Sequence, residues 1–432
     1  MSSLQVKTYK YDPKDDVETQ WKKWSESDIE FNDVSDSDLK ENIVKDLSYV
    51  SQMDVREYTL YQKFCEVKQR YPTITVNDLW EGERQVLKDE KQRKALAEVK
   101  NNIWQPKTNE DYLELEPEMI YTGGKDGMPE IWNAIRTFTS TMRNNSNIGR
   151  NLAYIIRDRK TKKYLGVICI TGDFIDLTPR DKFIGWDRNY KTESGMLNHT
   201  AIGSTIVPLQ PLGFNYVGGK LLALLCLSEQ VQSQWKKNYG DDLVSVTTTS
   251  LYGKTKKGGL SQYDNLKYWK PMGFTSGSVS YEPTKKTIYQ IRHWLMKNHP
   301  RKYFEWYVAK RPNGQQLKRD HRHRSYAFTY SKLGNIPKEI MKSDHARGVY
   351  FCPLYDKSCA YLRGEAKIED LTKAFDNSTE ALSELWKYKY AKPRIKQLVK
   401  KGRESKETLF YDDLIYKSWD EVKDSYLPQI GR

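Results

Sequence analysis

The stretch Ile202-Gly-Ser-Thr-Ile-Val-Pro-Leu-Gln-Pro-Leu-Gly-Phe-Asn-Tyr-Val-Gly-Gly-Lys220 decides the fold. Its β-branched start predicts a strand, Pro208 and Pro211 close that strand, and three glycines lead into the apolar helix 221–227. A strand that turns through glycines into a helix leaves backbone N–H groups unpaired, and the helix dipole favours an anion at that point. Gly213, Gly218, Gly219 and Lys220 therefore form the expected cradle for a pyrophosphate or another anion, with Lys220 adding a point charge. The spacing matches neither Gly-x-x-x-x-Gly-Lys-Ser/Thr nor Gly-x-Gly-x-x-Gly. The alternative is a plain strand–turn–helix whose glycines serve only close packing.

Outward from this turn the pattern is mixed. Leu152–Thr171 reads as two β-rich runs around a charged turn, a hairpin. Ile202–Val207 supplies a third strand and Leu243–Thr249 a fourth, with helix between them; Tyr263–Trp269 reads as a short helix and Gly348–Tyr355 as one more strand. The expected class is α+β, a mixed and mostly antiparallel sheet with flanking helices. The chain divides by composition into a helical N-terminal region at 1–135, the sheet core at 136–285, a basic aromatic extension at 286–365 and a C-terminal helical region at 366–432. Ser-rich acidic stretches within residues 1–50 read as partly flexible, and 55–71 as helix.

With 71 Lys and Arg against 57 Asp and Glu, the net charge of +14 points to a polyanionic partner. Lys310, Arg311, Arg319, Arg322 and Arg324 lie among Trp294, Tyr303, Phe304, Trp306 and Tyr307, the interleaving used for phosphate binding and base stacking on DNA. No apolar run reaches the roughly 20 residues of a membrane helix, and the N-terminus lacks a signal-peptide core, so no membrane partner is expected. The five scattered cysteines, without a Cys-x-x-Cys pair, read as reduced thiols in a cytoplasm-like compartment. Asp320-His-Arg-His-Arg324 offers alternating histidines if extended, but no adjacent Cys or Glu completes a metal set; a phosphate-facing basic loop is the expectation and no metal is assigned.

The order of elements, the Gly-rich turn after the central strand, and Tyr-Trp-Lys-Pro-Met-Gly-Phe at 268–274 resemble a GNAT-type acyltransferase core. Residues 183–278 also resemble the Druantia A-type family of antiphage defence systems and phages, through Phe183-Ile-Gly-Trp186, Pro208, Trp235-Lys-Lys-Asn-Tyr-Gly240, the Thr-rich strand end at 247–250 and Trp269-x-x-x-Gly273-Phe-Thr275-x-Gly277. A link to Mom-type phage enzymes, which modify DNA bases through a GNAT-like core, follows from the same resemblance. Thr200-Ala201 and Thr247-Thr248 depart from the residues expected of the family at those strand ends.

The resemblance implies acyl-CoA or a similar phosphorylated donor, a base for the acceptor and an acid for the leaving group. Asp173, at a strand end, is the expected base, with an Asx-turn as its alternative role. Tyr252 or Tyr263 is the expected acid, although packing is the commoner use of a tyrosine. Trp186 and Asp187 are expected to stack on and bond a flipped base, against a Trp that merely covers a core edge. The reading is a transferase acting on DNA bases, the alternative a non-catalytic nucleic-acid-binding subunit of a defence or phage assembly.

Overall fold

A computed structural model describes residues 9–28, 32–54, 57–58, 61–62, 90–139, 149–209, 211–213, 218–250, 261, 263–276, 279–317, 321–343, 346–402, 419–420 and 423. The chain forms two compact units, Met1–Val55 with Ser278–Asp344, and Arg56–Gly277 with His345–Arg432. The helical reading of 55–71 falls mostly outside the described residues.

The second unit is built on one seven-stranded sheet. Its strands are β1 (Pro117–Tyr121), β2 (Asn151–Asp158), β3 (Tyr164–Gly172), β4 (Thr200–Pro208), β5 (Ser245–Ser250), β6 (Lys270–Phe274) and β7 (Gly348–Pro353). They lie in the order β1-β2-β3-β4-β5-β7-β6, every neighbouring pair antiparallel except β4 and β5. This is the α+β, mostly antiparallel sheet that the alternation of apolar residues predicted, with β1 an addition the sequence did not announce. Residues 263–269, read as a helix, are successive turns, with Asn265 and Tyr268 at positive φ.

Both faces of the sheet are covered. On one, Tyr154, Ile156, Ile168, Ile170, Tyr350 and Cys352 pack with Leu221–Leu225, Trp235 and Trp386. On the other, Ile155, Val167 and Cys169 meet Val99, Ile131 and Ile135, while Phe351 meets Ile184 and Leu362. The period-2 alternation along β2, β3 and β7 is what assigns neighbouring residues to opposite cores. The helices concerned are α1 (Glu90–Asn101), α2 (Met128–Thr139), α3 (Thr178–Ile184), α4 (Arg188–Glu193), α5 (Gly218–Leu225), α6 (Glu229–Tyr239), α7 (Ser358–Leu362) and α8 (Thr379–Trp386). The ends of α6 follow the usual chemistry: the Ser228 hydroxyl accepts from the Val231 N–H, and Gly240 closes the helix at φ +79°.

The first unit is helical. Ser35 caps helix Asp36–Val50, accepting from the Asp38 N–H, so the Ser-Asp stretch read as flexible is a helix start. Trp294, Tyr303, Phe304 and Trp306 are buried with Trp24, Leu39, Ile43 and Ile291. The aromatics among the basic residues are thus core and not an exposed stacking surface. Residues 1–55 carry 13 acidic against 7 basic residues, and 278–344 carry 15 basic against 5 acidic. The two segments neutralise each other in part, through Arg301 with Glu18 and Lys297 with Asp33.

Among the described residues no helix is long and apolar enough to cross a membrane. Cys169, Cys226 and Cys352 are buried free thiols and Cys359 is half-buried; Cys65 lies outside the described residues. Burial pushes the Cys226 and Cys352 thiols upward, away from reactivity.

Candidate functional site

The parallel pair β4/β5 is where the sheet opens. Thr200, Ala201 and Ile202 face Ser245, Val246 and Thr247, and there the ladder stops although β4 runs on to Pro208 and β5 to Ser250. Two features sit at the stop. Ile170 pairs with Gly203 but Cys169 with Thr205, so Ser204 is an extra residue, a bulge that turns β4 away from β5. The Thr248 hydroxyl, in turn, donates to the Gly203 carbonyl at 3.0 Å, a single side-chain bond where the next ladder step would fall. Beyond it Ser204 is exposed and Thr205–Pro208 are half-buried, unlike the buried Thr200–Gly203. The result is a strand edge inside the sheet, with backbone groups turned toward a gap at the carboxyl ends of two parallel strands. In α/β sheets such a switch point is where ligands bind, and an open strand edge favours a slender ligand that carries amides of its own.

The turn out of β4 folds tightly onto Pro208. A Cβ on Gly213 would meet Pro208 Cγ at 2.8 Å, and one on Gly218 would meet Leu212 Cγ at 2.7 Å and Pro208 Cβ at 2.9 Å. The Gly218 N–H already donates to the Leu212 carbonyl at 3.0 Å. These two glycines serve close packing, and Gly219 is buried beside Gly218 in the first turn of α5. Gly218→Val is accordingly expected to destabilise by roughly 1–3 kcal/mol through overpacking, which makes it a probe of the fold and not of a ligand; chemical denaturation measures this.

Lys220, on the first turn of α5, donates to the Asp264 carbonyl at 3.2 Å and lies over the Tyr390 ring at 5.4 Å. Burial lowers its pKa, against the pull of Asp264. Asp264 ties the surroundings together, accepting from the Tyr350 hydroxyl at 2.7 Å and from the Ser261 N–H at 2.6 Å. The Ser261 hydroxyl reaches Ser250, the last residue of β5, at 2.8 Å. Tyr263 is buried against Trp269 and Tyr350, with ring centroids 5.7 and 5.1 Å apart. Of the expected cradle residues, Lys220 therefore joins Tyr263 at one polar cluster around Asp264, next to the end of β5. Tyr252 lies outside the described residues. Sequence reasoning missed Tyr350 and Asp264, although Asp264 directly follows Tyr263. Burial, chiefly, and the Asp264 carboxylate push the Tyr350 hydroxyl up to about 12, against the Ser261 bond, so it is a neutral donor at ordinary pH.

Asp173 lies at the other side of the stop. Its side chain is fully buried; Thr247 Oγ1 donates to it at 2.9 Å, the Phe174 N–H at 2.8 Å, and Arg180 Nη1 stands 2.7 Å away. Arg180, also fully buried, reaches Asp181 at 2.6 Å and the Phe174 carbonyl at 2.8 Å, and Lys191 completes the network by donating to Asp181 at 2.6 Å. Both Asp173 oxygens are occupied, and Thr247 is the last β5 residue in register with β4. Asp173 thus anchors the β3–α3 junction to the point where the strands part.

Trp186 is buried, donates its indole N–H to the Leu362 carbonyl at 2.6 Å, and carries the Arg180 guanidinium over its ring at 5.4 Å. It covers a core edge. Asp187 caps α4, accepting from the Asn189 and Tyr190 N–H groups at 2.9 and 3.2 Å, and those bonds hold its pKa below the usual carboxylate value.

In the first unit, Gln20 clamps the Lys310 backbone at 3.0 and 2.9 Å, and Lys310 Nζ lies over Tyr11 at 5.0 Å. Arg311 and Arg324 are exposed, Arg322 is exposed at 3.9 Å from Glu282, and Arg319 lies outside the described residues. Residues 321–333 form a helix, so His321 and His323 do not alternate on one extended face. Among the described residues no group of three or more His, Cys, Asp or Glu is placed to hold a metal ion.

A mixed sheet that opens between two parallel strands, with a glycine turn and a polar cluster at the opening, defines an α+β protein with a candidate site at that opening. The chain belongs to the family described as Druantia protein DruA, whose model matches residues 76–364. It is also similar to the Druantia protein DruA of Escherichia coli (strain UMEA 4076-1), 27% identical over 164 residues that make up 35% of this chain and 39% of that protein. The similarity thus spans well under half of that relative's length. No solved structure matches.

Proposed function

We propose that the sheet unit is a group transferase that takes a pyrophosphate-bearing donor, such as an acyl-CoA, into the gap between β4 and β5 and acts on DNA bases. The observation that carries this reading is the β4/β5 ladder, which ends after three pairs beside the bulge at Ser204. The gap suits the thin amide-bearing arm of CoA, and the α5 start with Lys220 suits its phosphates. The order of strands and the turn at 213–220 support the likeness to GNAT-type and Mom-type enzymes. Membership of the Druantia protein DruA family supports a place for the activity in antiphage defence.

In this reading Tyr350 protonates the leaving group, held by Asp264, with Tyr263 packed beside it. Asp173 is a positioning residue that fixes the vertex of the opening. Mass spectrometry of nucleosides from DNA co-expressed with the full chain is the test: a new modified base is expected, and unmodified DNA with every donor tried overturns transfer.

Donor binding has its own signature. An anion beside Lys220 stabilises the ammonium and raises its lowered pKa, so binding in buffer alkaline enough to deprotonate part of the free Lys220 is expected to take up protons. Calorimetry in two buffers of different ionisation heat measures that uptake, and Lys220→Met is expected to abolish it.

A second reading, a non-catalytic DNA-binding subunit of the same defence system, is favoured by one observation: both oxygens of Asp173 are already engaged. It predicts DNA binding with no donor binding.

A further inference from the structure

The first unit holds a polar cluster that is short of an acceptor. Its side chains come from the helix Lys285–Asn298, the π-helical turn Phe304–Val308 and the helix His321–Leu333. Such π turns are rare and are found mostly at functional sites. The Arg292 guanidinium lies over the Tyr307 ring at 5.0 Å. The Tyr307 hydroxyl meets Ser325 Oγ at 2.5 Å, and Ser325 Oγ donates to the Arg322 carbonyl at 2.7 Å, so Tyr307 gives its proton to Ser325. Glu282 stands 3.9 Å from Arg322 Nη1 and 3.8 Å from His323 Nε2.

Two donors here have no partner among the described residues: the hydroxyl of Tyr326, a residue only 2% exposed, and Arg292 Nε. Burial first, then Glu282 and Tyr307, hold the Tyr326 pKa up against Arg322 and Arg292, so these side chains converge on a hydroxyl that keeps its proton. A buried donor left unmade is costly, and native structures seldom keep one without a reason. What satisfies both is an acceptor. Charge narrows the class, because Arg292 and Arg322 share one carboxylate, Glu282, and Arg292 has none within ion-pair distance among the described residues. Water would answer the donors and leave the charge. An anion answers both, and guanidinium groups suit phosphate oxygens. Depth narrows it further: a phosphate at the end of a molecule reaches a buried hydroxyl, whereas a phosphodiester carries chain on both sides.

We propose that this cluster binds a terminal phosphate group, on a nucleotide or at the end of a nucleic-acid strand, with Arg292 Nε, the Tyr326 hydroxyl and Arg322 as its donors. Arg322 and His323, each about half exposed, form the entrance. The inference stands apart from the proposed transfer, since every residue in it belongs to the first unit.

Thermal shift with a nucleoside monophosphate tests it in the full chain, beside fluorescence anisotropy of a 3′-labelled oligo-dT carrying either a 5′-phosphate or a 5′-hydroxyl. A raised melting temperature with the monophosphate assigns the site to a nucleotide, and tighter binding of the phosphorylated strand assigns it to a nucleic-acid end; either upholds the phosphate. Each of Tyr326→Phe and Arg292→Gln is expected to weaken that response about 10- to 100-fold, as for a lost hydrogen bond to a charged group. Free of ligand, Tyr326→Phe is expected to melt no lower than the wild type, because it removes a hydroxyl that bonds to nothing. The inference is overturned if the wild type ignores the monophosphate and binds both strands equally. It is also overturned if Tyr326→Phe melts lower when free and responds to phosphate like the wild type, which would make the hydroxyl structural.

Discussion

Asp173→Asn is expected to destabilise the sheet unit by about 3–5 kcal/mol, the usual cost of breaking a buried ion pair from one side. The substitution keeps shape and removes the charge that faces Arg180, whose side chain is fully buried. Asp181 and the Phe174 carbonyl still hold Arg180, so the loss belongs at the lower end of that range. Thr247 also loses its charged acceptor, and with it the tie between the β3–α3 junction and the last paired residue of β5. Chemical denaturation of the full chain, followed by tryptophan fluorescence, gives the value. A midpoint unchanged from wild type would show that Asp173 does not anchor the junction. Loss of function in this variant therefore reports on the fold first, and a chemical role for Asp173 needs a variant whose stability has been restored.

The second large effect is expected at Tyr350. Tyr350→Phe removes the hydroxyl that donates to Asp264 and leaves the ring in its place between the sheet and Tyr263. Transfer to DNA is expected to fall by about 10²–10⁴-fold, as for other lost acid–base groups. Stability is expected to change by only about 1 kcal/mol, the net worth of a typical hydrogen bond. Asp264→Asn should act in the same direction, because the carboxylate orients the hydroxyl and its amide replacement does so less well. Tyr263→Phe is the comparison, since its ring packs against that of Tyr350. Equal loss in all three variants, in step with lowered melting temperature, would mean that the cluster only holds the strand ends together.

What the sequence made legible follows from the range of the interactions involved. The turn at 208–220 was readable because proline and glycine act locally, and the hairpin β2–β3 because alternation over eight residues is its own signal. The opening between β4 and β5 was readable only as a strand followed by a helix. Its vertex depends on Thr247, Thr248 and a bulge at Ser204, and a bulge shows itself only when the register with β3 is known. The basic aromatic run was misread because exposure is a tertiary property. Trp294 and Phe304 face the core that Trp24 and Leu39 supply from more than 250 residues away, and the acidic partners Glu18 and Asp33 come from that same distant segment. Trp186 and Asp173 look like site residues by type, yet both are held by Arg180, a residue that nothing in the local pattern marks as buried. Tyr350 was visible only as one more aromatic in a strand, since its partner Asp264 lies 86 residues earlier.

The opening between β4 and β5 is tested most directly by titrating the full chain with CoA and with an acyl-CoA in a calorimeter. Saturable heat is expected, with proton uptake in alkaline buffer that is lost in Lys220→Met. Absence of any heat or thermal shift with CoA, acyl-CoA and nucleotides, from a protein that still binds DNA, would contradict a donor site in this gap and leave the binding subunit in its place.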